Sequence, residues 1–305
     1  MKKSLFADCS LLFVAFIWGT TFVLVQNAIR FLEPMTFNAT RFFIAGLILF
    51  LLLVLFYRHQ LKQVNKKLLG AGFVMGLWLF GGYALQTFGL LYTTSSKAGF
   101  ITGLSVVLVP LFSFFLLKQK PTLNAILGVL VATVGLYFLT MGDQVSVNQG
   151  DILVFFCAIS FALHIIFTGK FTSLFPTLVL TVTQIITVAI LSSIFAFLFE
   201  DWQAVFTKEL IMTREVLGAL LITSIFATAL AFLIQTNFQK YTTPTRVALI
   251  FAMEPVFAAL GGYYLADERL TIIALAGCLL IFVGMIFAEL PQRKKMKASI
   301  EIEIQ

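Results

Sequence analysis

Along this chain, apolar residues come in runs of about twenty, separated by short polar stretches, from residue 8 to residue 289. The runs lie near 8–29, 36–57, 68–91, 97–117, 122–140, 150–168, 175–199, 215–239, 245–265 and 270–289. A barrel strand would instead alternate apolar and polar residues over about ten positions. A helix closes its backbone hydrogen bonds within itself, as lipid requires, and about twenty residues cross the hydrocarbon. The pattern therefore predicts ten transmembrane helices in an all-α polytopic membrane protein.

Composition agrees. Of 305 residues, 60% are apolar and 11% charged, and the mean hydropathy is +1.01; a soluble domain carries roughly 25% charged residues. The net charge of +7 sits in the loops. With ten crossings, one side holds fifteen Lys and Arg, among them Lys2, Arg58, Lys66, Lys118, Lys240, Arg246 and Lys295, and the other holds Arg30, Lys97, Lys208, Arg214 and Arg269. The bias places both termini in the cytoplasm. It is a topology signal and not a nucleic-acid signal. Lys2 and Lys3 precede the first run, but no small-x-small site ends it, so it reads as a helix and not a cleaved signal. The basic tail 290–305 reads as a solvated cytoplasmic flank within reach of anionic lipid.

The two halves repeat. "LQTFGLLYTTSSK" (85–97) and "IQTNFQKYTTPTR" (234–246) align at an offset of 149, which pairs Gln86 with Gln235, Tyr92-Thr93-Thr94 with Tyr241-Thr242-Thr243, and Lys97 with Arg246. The same offset carries Gly128 and Gly135 onto Gly277 and Gly284. Five runs per half is an odd number, so the second copy enters the membrane upside down. Inverted repeats of this kind are the architecture of many secondary transporters. A duplication kept only for packing is the alternative. The loop at Lys118 and Lys120 falls inside, and its counterpart at Asp267, Glu268 and Arg269 falls outside.

Four stretches then resemble a known family: "AFIWGTTF" (15–22), "NATRFFIAGLIL" (38–49), "AMEPVFAALGGYYLADERL" (252–270) and "GCLLIFVGMI" (277–286). The chain is similar to the ten-helix, EamA-domain members of the drug/metabolite transporter superfamily. The resemblance departs at Gln119, where the first repeat often carries a glutamate like Glu268. It implies two EamA-like repeats, 8–140 and 150–289, forming a basket of ten helices around a cavity. It implies alternating access for a small organic solute such as an amino acid, a drug or a related metabolite. Export across a bacterial plasma membrane is the expected direction, protons are the candidate coupling ion, and a second copy of the chain is a candidate partner.

Glu254 and Pro255 interrupt the ninth run near mid-depth. A lone charge there costs about 2.5–3.5 kcal/mol on insertion scales, so Glu254 should face the bundle interior. It is a proton-coupling or amine-binding group, or else an acid bonded to a neighbouring helix. Pro255 removes a backbone donor and can kink its helix, and Pro110 offers the same device in the fourth run, out of register by four residues at the repeat offset. Arg41 can snorkel outward, pair with Glu33 or Glu254, or bind an anion. His164 reads as a packing histidine or a proton relay. Trp18, Trp78 and Tyr83 lie inside apolar runs, as cavity or core aromatics. Gln86, Gln235 and Thr21 complete the set, as groups for interhelical bonds or solute contact. Lys97 and Arg246 read as anchors of helix ends.

Other chemistries lack their residues. "TGKF" (168–171) has neither the upstream glycine nor the following Ser or Thr of a phosphate loop. His59 and His164 form no zinc motif, and Cys9, Cys157 and Cys278 are too scattered to hold a metal. The sequence has no nucleophile elbow and no oligonucleotide-binding module, so no cofactor, metal, catalytic residue or nucleic acid is expected. A membrane enzyme acting on lipid would need a cluster of reactive groups at one depth. A non-transporting scaffold or sensor would carry a soluble domain.

Overall fold

The computed structural model describes residues 2–140, 148–265 and 271–289. The loop carrying Asp267, Glu268 and Arg269 and the basic tail lie outside them. The described chain is all-α. The first half comprises α1 (Lys2–Ala28), α2 (Pro34–Phe56), α3 (Lys66–Gly89), α4 (Ser95–Gly103), α5 (Ser105–Leu117) and α6 (Leu123–Thr140). The second comprises α7 (Gln149–Phe171), α8 (Thr177–Phe199), a short α9 (Lys208–Ile211), α10 (Arg214–Ser224), α11 (Ala231–Phe238), α12 (Pro244–Phe251), α13 (Glu254–Leu265) and α14 (Ile272–Glu289). A π-helical turn, Ile225–Leu230, joins α10 to α11. Among the described residues eight runs are long and apolar enough to cross a bilayer, with α4 running into α5, α10 into α11, and α12 into α13; two shorter apolar helices, Leu123–Leu139 and Ile272–Phe287, accompany them. The protein is an all-α polytopic membrane protein.

Caps explain several starts. Asn65 Oδ1 accepts from Leu68 N at 3.0 Å at the head of α3. Asn148 and Asp151 form a reciprocal capping box on α7. Thr94 and Thr243 cap α4 and α12 by accepting from Lys97 N and Arg246 N. The repeated "YTT" is thus a cap signal, used twice. Glu200, at the end of α8, accepts from Met35 N at 2.8 Å and Thr36 N at 2.7 Å. A carboxylate there satisfies the open amides of α2, and it puts the α1–α2 turn and the end of α8 at one end of the bundle.

Elements that correspond in the repeat pack on one another: α6 on α14, and α2 on α8. Helix α3 lies against α7 and α8, and α1 lies against α13, α10 and α11. The outside is apolar, with Phe43, Phe56, Phe115 and Phe199 exposed, as a lipid-facing surface should be.

The fourth and ninth runs are broken. The first break falls at Leu104, between α4 and α5, and the second at Ala252 and Met253, between α12 and α13. Leu104 and Met253 are 149 positions apart, so the breaks are in register even though the prolines are not. Pro110 lies inside α5, well past its break, so it does not mark the kink that sequence placed there. Pro255 is the second residue of α13 and withholds the donor that would reach back across its break.

Candidate functional site

A cavity of about 800 Å³ of empty space, a figure that takes in any open solvent it meets, lies among α1, α2, α3, α4, α7, α11 and the α12–α13 break. Eight of the nine candidates for solute or cavity contact, Trp18, Thr21, Arg41, Tyr83, Gln86, His164, Gln235 and Glu254, are on its wall, and so is Pro255. Trp78 is not. It stacks on Phe167 at 6.5 Å with planes 6° apart. Leu79, Tyr83, Gln86 and Leu90 share one face of α3 and reach the cavity. Trp78 is one residue, about 100°, off that face.

Arg41 does not snorkel, and it makes no ion pair among the described residues. It is 3% exposed. Its Nε donates to Thr228 Oγ1 at 2.7 Å and its Nη2 to Ala227 O at 3.4 Å. Its guanidinium lies 4.8 Å over the Tyr83 ring. Trp18 Nε1 donates to the same Ala227 carbonyl at 2.8 Å. Both acceptors belong to the π turn. An i→i+5 turn shifts the register of the α-helical carbonyls, and such turns recur at functional sites. Sequence gave no hint of Thr228, one threonine in an apolar run.

His164 Nε2 is 2.8 Å from Gln184 Oε1, and Gln184 Nε2 donates to Thr236 Oγ1 at 3.0 Å. A carbonyl oxygen only accepts, so in the neutral ring Nε2 carries the proton and Nδ1 is left as an acceptor. Gln86 Nε2 donates to Thr102 Oγ1 at 3.2 Å. Gln235 is 1% exposed, and its Oε1 has no partner among the described residues. A buried amide oxygen without a partner costs about 1–3 kcal/mol, so it is an open acceptor on the wall.

Glu254 and Ser105 are the first residues of α13 and α5, at matching places after the two breaks, and both line the cavity. Among the described residues the Glu254 carboxylate has no hydrogen-bond or ion-pair partner. Among the described residues it makes no bond to a neighbouring helix. Gly19 lets α1 approach at this point: a Cβ there would stand 2.7 Å from Phe257 Cβ and 2.9 Å from Ala258 N. Aromatic rings complete the wall, with Trp18 5.2 Å from Phe232 and 5.1 Å from Phe251, centroid to centroid. Ser105 was within reach of sequence, as the 149-offset partner of Glu254, whereas Phe232 and Phe251 carried no mark among 35 phenylalanines. Among the described residues no cluster of His, Cys, Asp and Glu could hold a metal ion.

Known proteins match this chain over most of its length. The model of the EamA-like transporter family matches residues 5–141 and again 148–289. An uncharacterized transporter of Archaeoglobus fulgidus is 38% identical over 94% of this chain and 87% of its own. A more distant relative, the S-adenosylmethionine/S-adenosylhomocysteine transporter of Chlamydia muridarum, is 23% identical over 83% of this chain and 82% of its own. A solved crystal structure, 19% identical, superposes with a TM-score of 0.74 over 92% of this chain and 95% of that one, which shows the shared fold. Two family matches that together span nearly the whole chain, and a relative at 38% identity, settle the affiliation: the protein belongs to the EamA-like transporter family, membrane transporters of small molecules and not enzymes.

Proposed function

We propose that this chain is a secondary transporter that carries a small organic solute bearing both a cationic and an anionic group. In this reading all ten apolar helices cross the membrane as two inverted five-helix repeats, 8–140 and 150–289, with both termini cytoplasmic. The halves expose the cavity to one side and then the other.

The observation that carries the reading is the pair Arg41 and Glu254. They are an acid and a base on one cavity wall, with no ion pair between them among the described residues. Ionisable groups inside a membrane protein are expensive, and those that are kept commonly mark a solute or ion pathway. Held apart, the two suit a solute that brings a carboxylate to one and an amine or other cation to the other. Trp18, Phe232 and Phe251 offer a surface for its flat or apolar body. S-adenosylmethionine, named for one relative, is a solute of mixed charge, which fits this class. Glu254 is also where a proton would couple to transport, since among the described residues no protein group competes for its carboxylate.

The test is a melting screen of the purified protein against amphoteric, purely anionic and purely cationic solutes. Amphoteric solutes should raise the melting temperature most, and both Arg41→Gln and Glu254→Gln should lose that response. Stabilisation by singly charged solutes alone would contradict the class. Efflux from loaded cells tests export.

A further inference from the structure

Two ion pairs tie the halves together, and each is the image of the other. Lys97 Nζ lies 2.5 Å from Asp151 Oδ2, and Arg246 Nη2 lies 2.7 Å from Asp8 Oδ2. Lys97 and Arg246 correspond at the offset of 149. Asp8 and Asp151 correspond at 143, the shift that also carries the start of α2 at Pro34 onto the start of α8 at Thr177. Each cation is in the first turn of a half-helix, just after its threonine cap. Each carboxylate is on the first helix of the opposite half.

The pairs stand at opposite ends of the cavity, and α1 is the ruler. Asp8, near its start, holds Arg246. Gln26, near its end, donates to Thr93 O at 3.3 Å and accepts from Ser95 Oγ, in the turn that carries Lys97. Eighteen residues of helix make about 27 Å, and Trp18, Thr21, Phe22 and Val25 line the cavity between. Helix α7 runs the same course in reverse. It starts with Asp151 at Lys97, and near its end Ile165 O accepts from Gln239 Nε2 at 2.5 Å while Gly169 meets Pro244, in the turn that carries Arg246.

We propose that these pairs are the two gates of the transport cycle. Parting of Lys97 from Asp151 opens one end while Arg246 and Asp8 hold the other shut, and the cycle then reverses. The assignment rests on the alternating-access reading above. Helices α4 and α12 each lead from an ion pair to a break, and past each break stands a cavity residue, Ser105 or Glu254. A half-helix hinged at its break can swing its charged end without disturbing the other pair. Lys97 and Arg246 are each 31% exposed against carboxylates exposed 5% and 9%. Water therefore reaches each cation and can solvate it when its pair parts. Asp151 also accepts from Thr93 Oγ1 and Asn148 N, both at 2.8 Å, so it keeps its place when Lys97 leaves.

The experiment needs no solute. Cys9, Cys157 and Cys278 are replaced, a single cysteine is placed at Thr21 on the cavity wall, and a membrane-impermeant maleimide is added to either face of oriented vesicles. Lys97→Gln should raise labelling from the Lys97 end about threefold or more and lower it from the other. Arg246→Gln should do the reverse, and Lys97→Arg and Arg246→Lys should keep the parent ratio. Each variant reads its own end, so failure of one to fold leaves the other decisive. Gln variants that leave both rates unchanged, or move both in one direction, would overturn the gates and leave the transport reading standing. A parent that labels from one end only would overturn alternating access itself.

Discussion

Gly135 and Gly277 meet backbone to backbone where α6 crosses α14: a Cβ on Gly135 would stand 2.7 Å from the Gly277 carbonyl, and one on Gly277 would stand 2.6 Å from the Gly135 carbonyl. Gly284 meets Gly128 in the same way, at 2.6 Å. The contact joins the last helix of one half to the last helix of the other. Small residues are what let membrane helices approach this closely.

Gly277→Leu should therefore destabilise the protein by about 3 kcal/mol, since overpacking a tight contact displaces backbone. The check is the melting temperature in detergent. An unchanged value would mean that the two helices do not meet there.

Arg41→Lys keeps the charge but loses the bond from Nε to Thr228 and the guanidinium contact over the Tyr83 ring. It should cost about 1–3 kcal/mol of stability and lower transport about tenfold, a barrier change of roughly 1.4 kcal/mol. Thr228→Val should cost less, and the double variant should cost less than the sum of the two. Additive losses would show that Arg41 and Thr228 do not act through one bond.

The Gln184–Thr236 relay fixes the tautomer of His164. Nitrogen-15 NMR of histidine-labelled protein should find Nε2 protonated and Nδ1 bare in the neutral ring. Gln184→Leu should remove that bias. A protonated Nδ1 in the parent would contradict the relay.

Topology has its own check. Cysteines at the exposed positions Gln63 and Glu209 should label from opposite faces, Gln63 from the cytoplasm and Glu209 from outside. Labelling of both from one face would break the ten-crossing scheme.

Sequence carried the helices well because lipid leaves the backbone few choices. The ten apolar runs and the described helices agree to within a few residues at most ends, α1 beginning some six residues before its predicted start. It singled out Glu254 because a carboxylate inside an apolar run stands out, and that residue lies on the cavity wall. It missed the break at Leu104, which no proline marks, and which became visible only as the counterpart of Met253. It could not find the partner of Arg41, because Thr228 enters the site through a π turn, and no periodicity in the chain signals a π turn. Trp78 shows the limit for aromatics: depth can be read from the run, but the side of the helix depends on which neighbour packs where.

The central claim is that Glu254 works as a charge-carrying group of the transport path. The direct measurement is uptake into proteoliposomes under an imposed pH gradient, using the solute that stabilises the parent most. The gradient should drive uptake by the parent and fail to drive it in Glu254→Gln and Glu254→Ala alike. If Glu254→Gln responds to the gradient as the parent does while only Glu254→Ala is impaired, Glu254 serves packing and the claim is wrong.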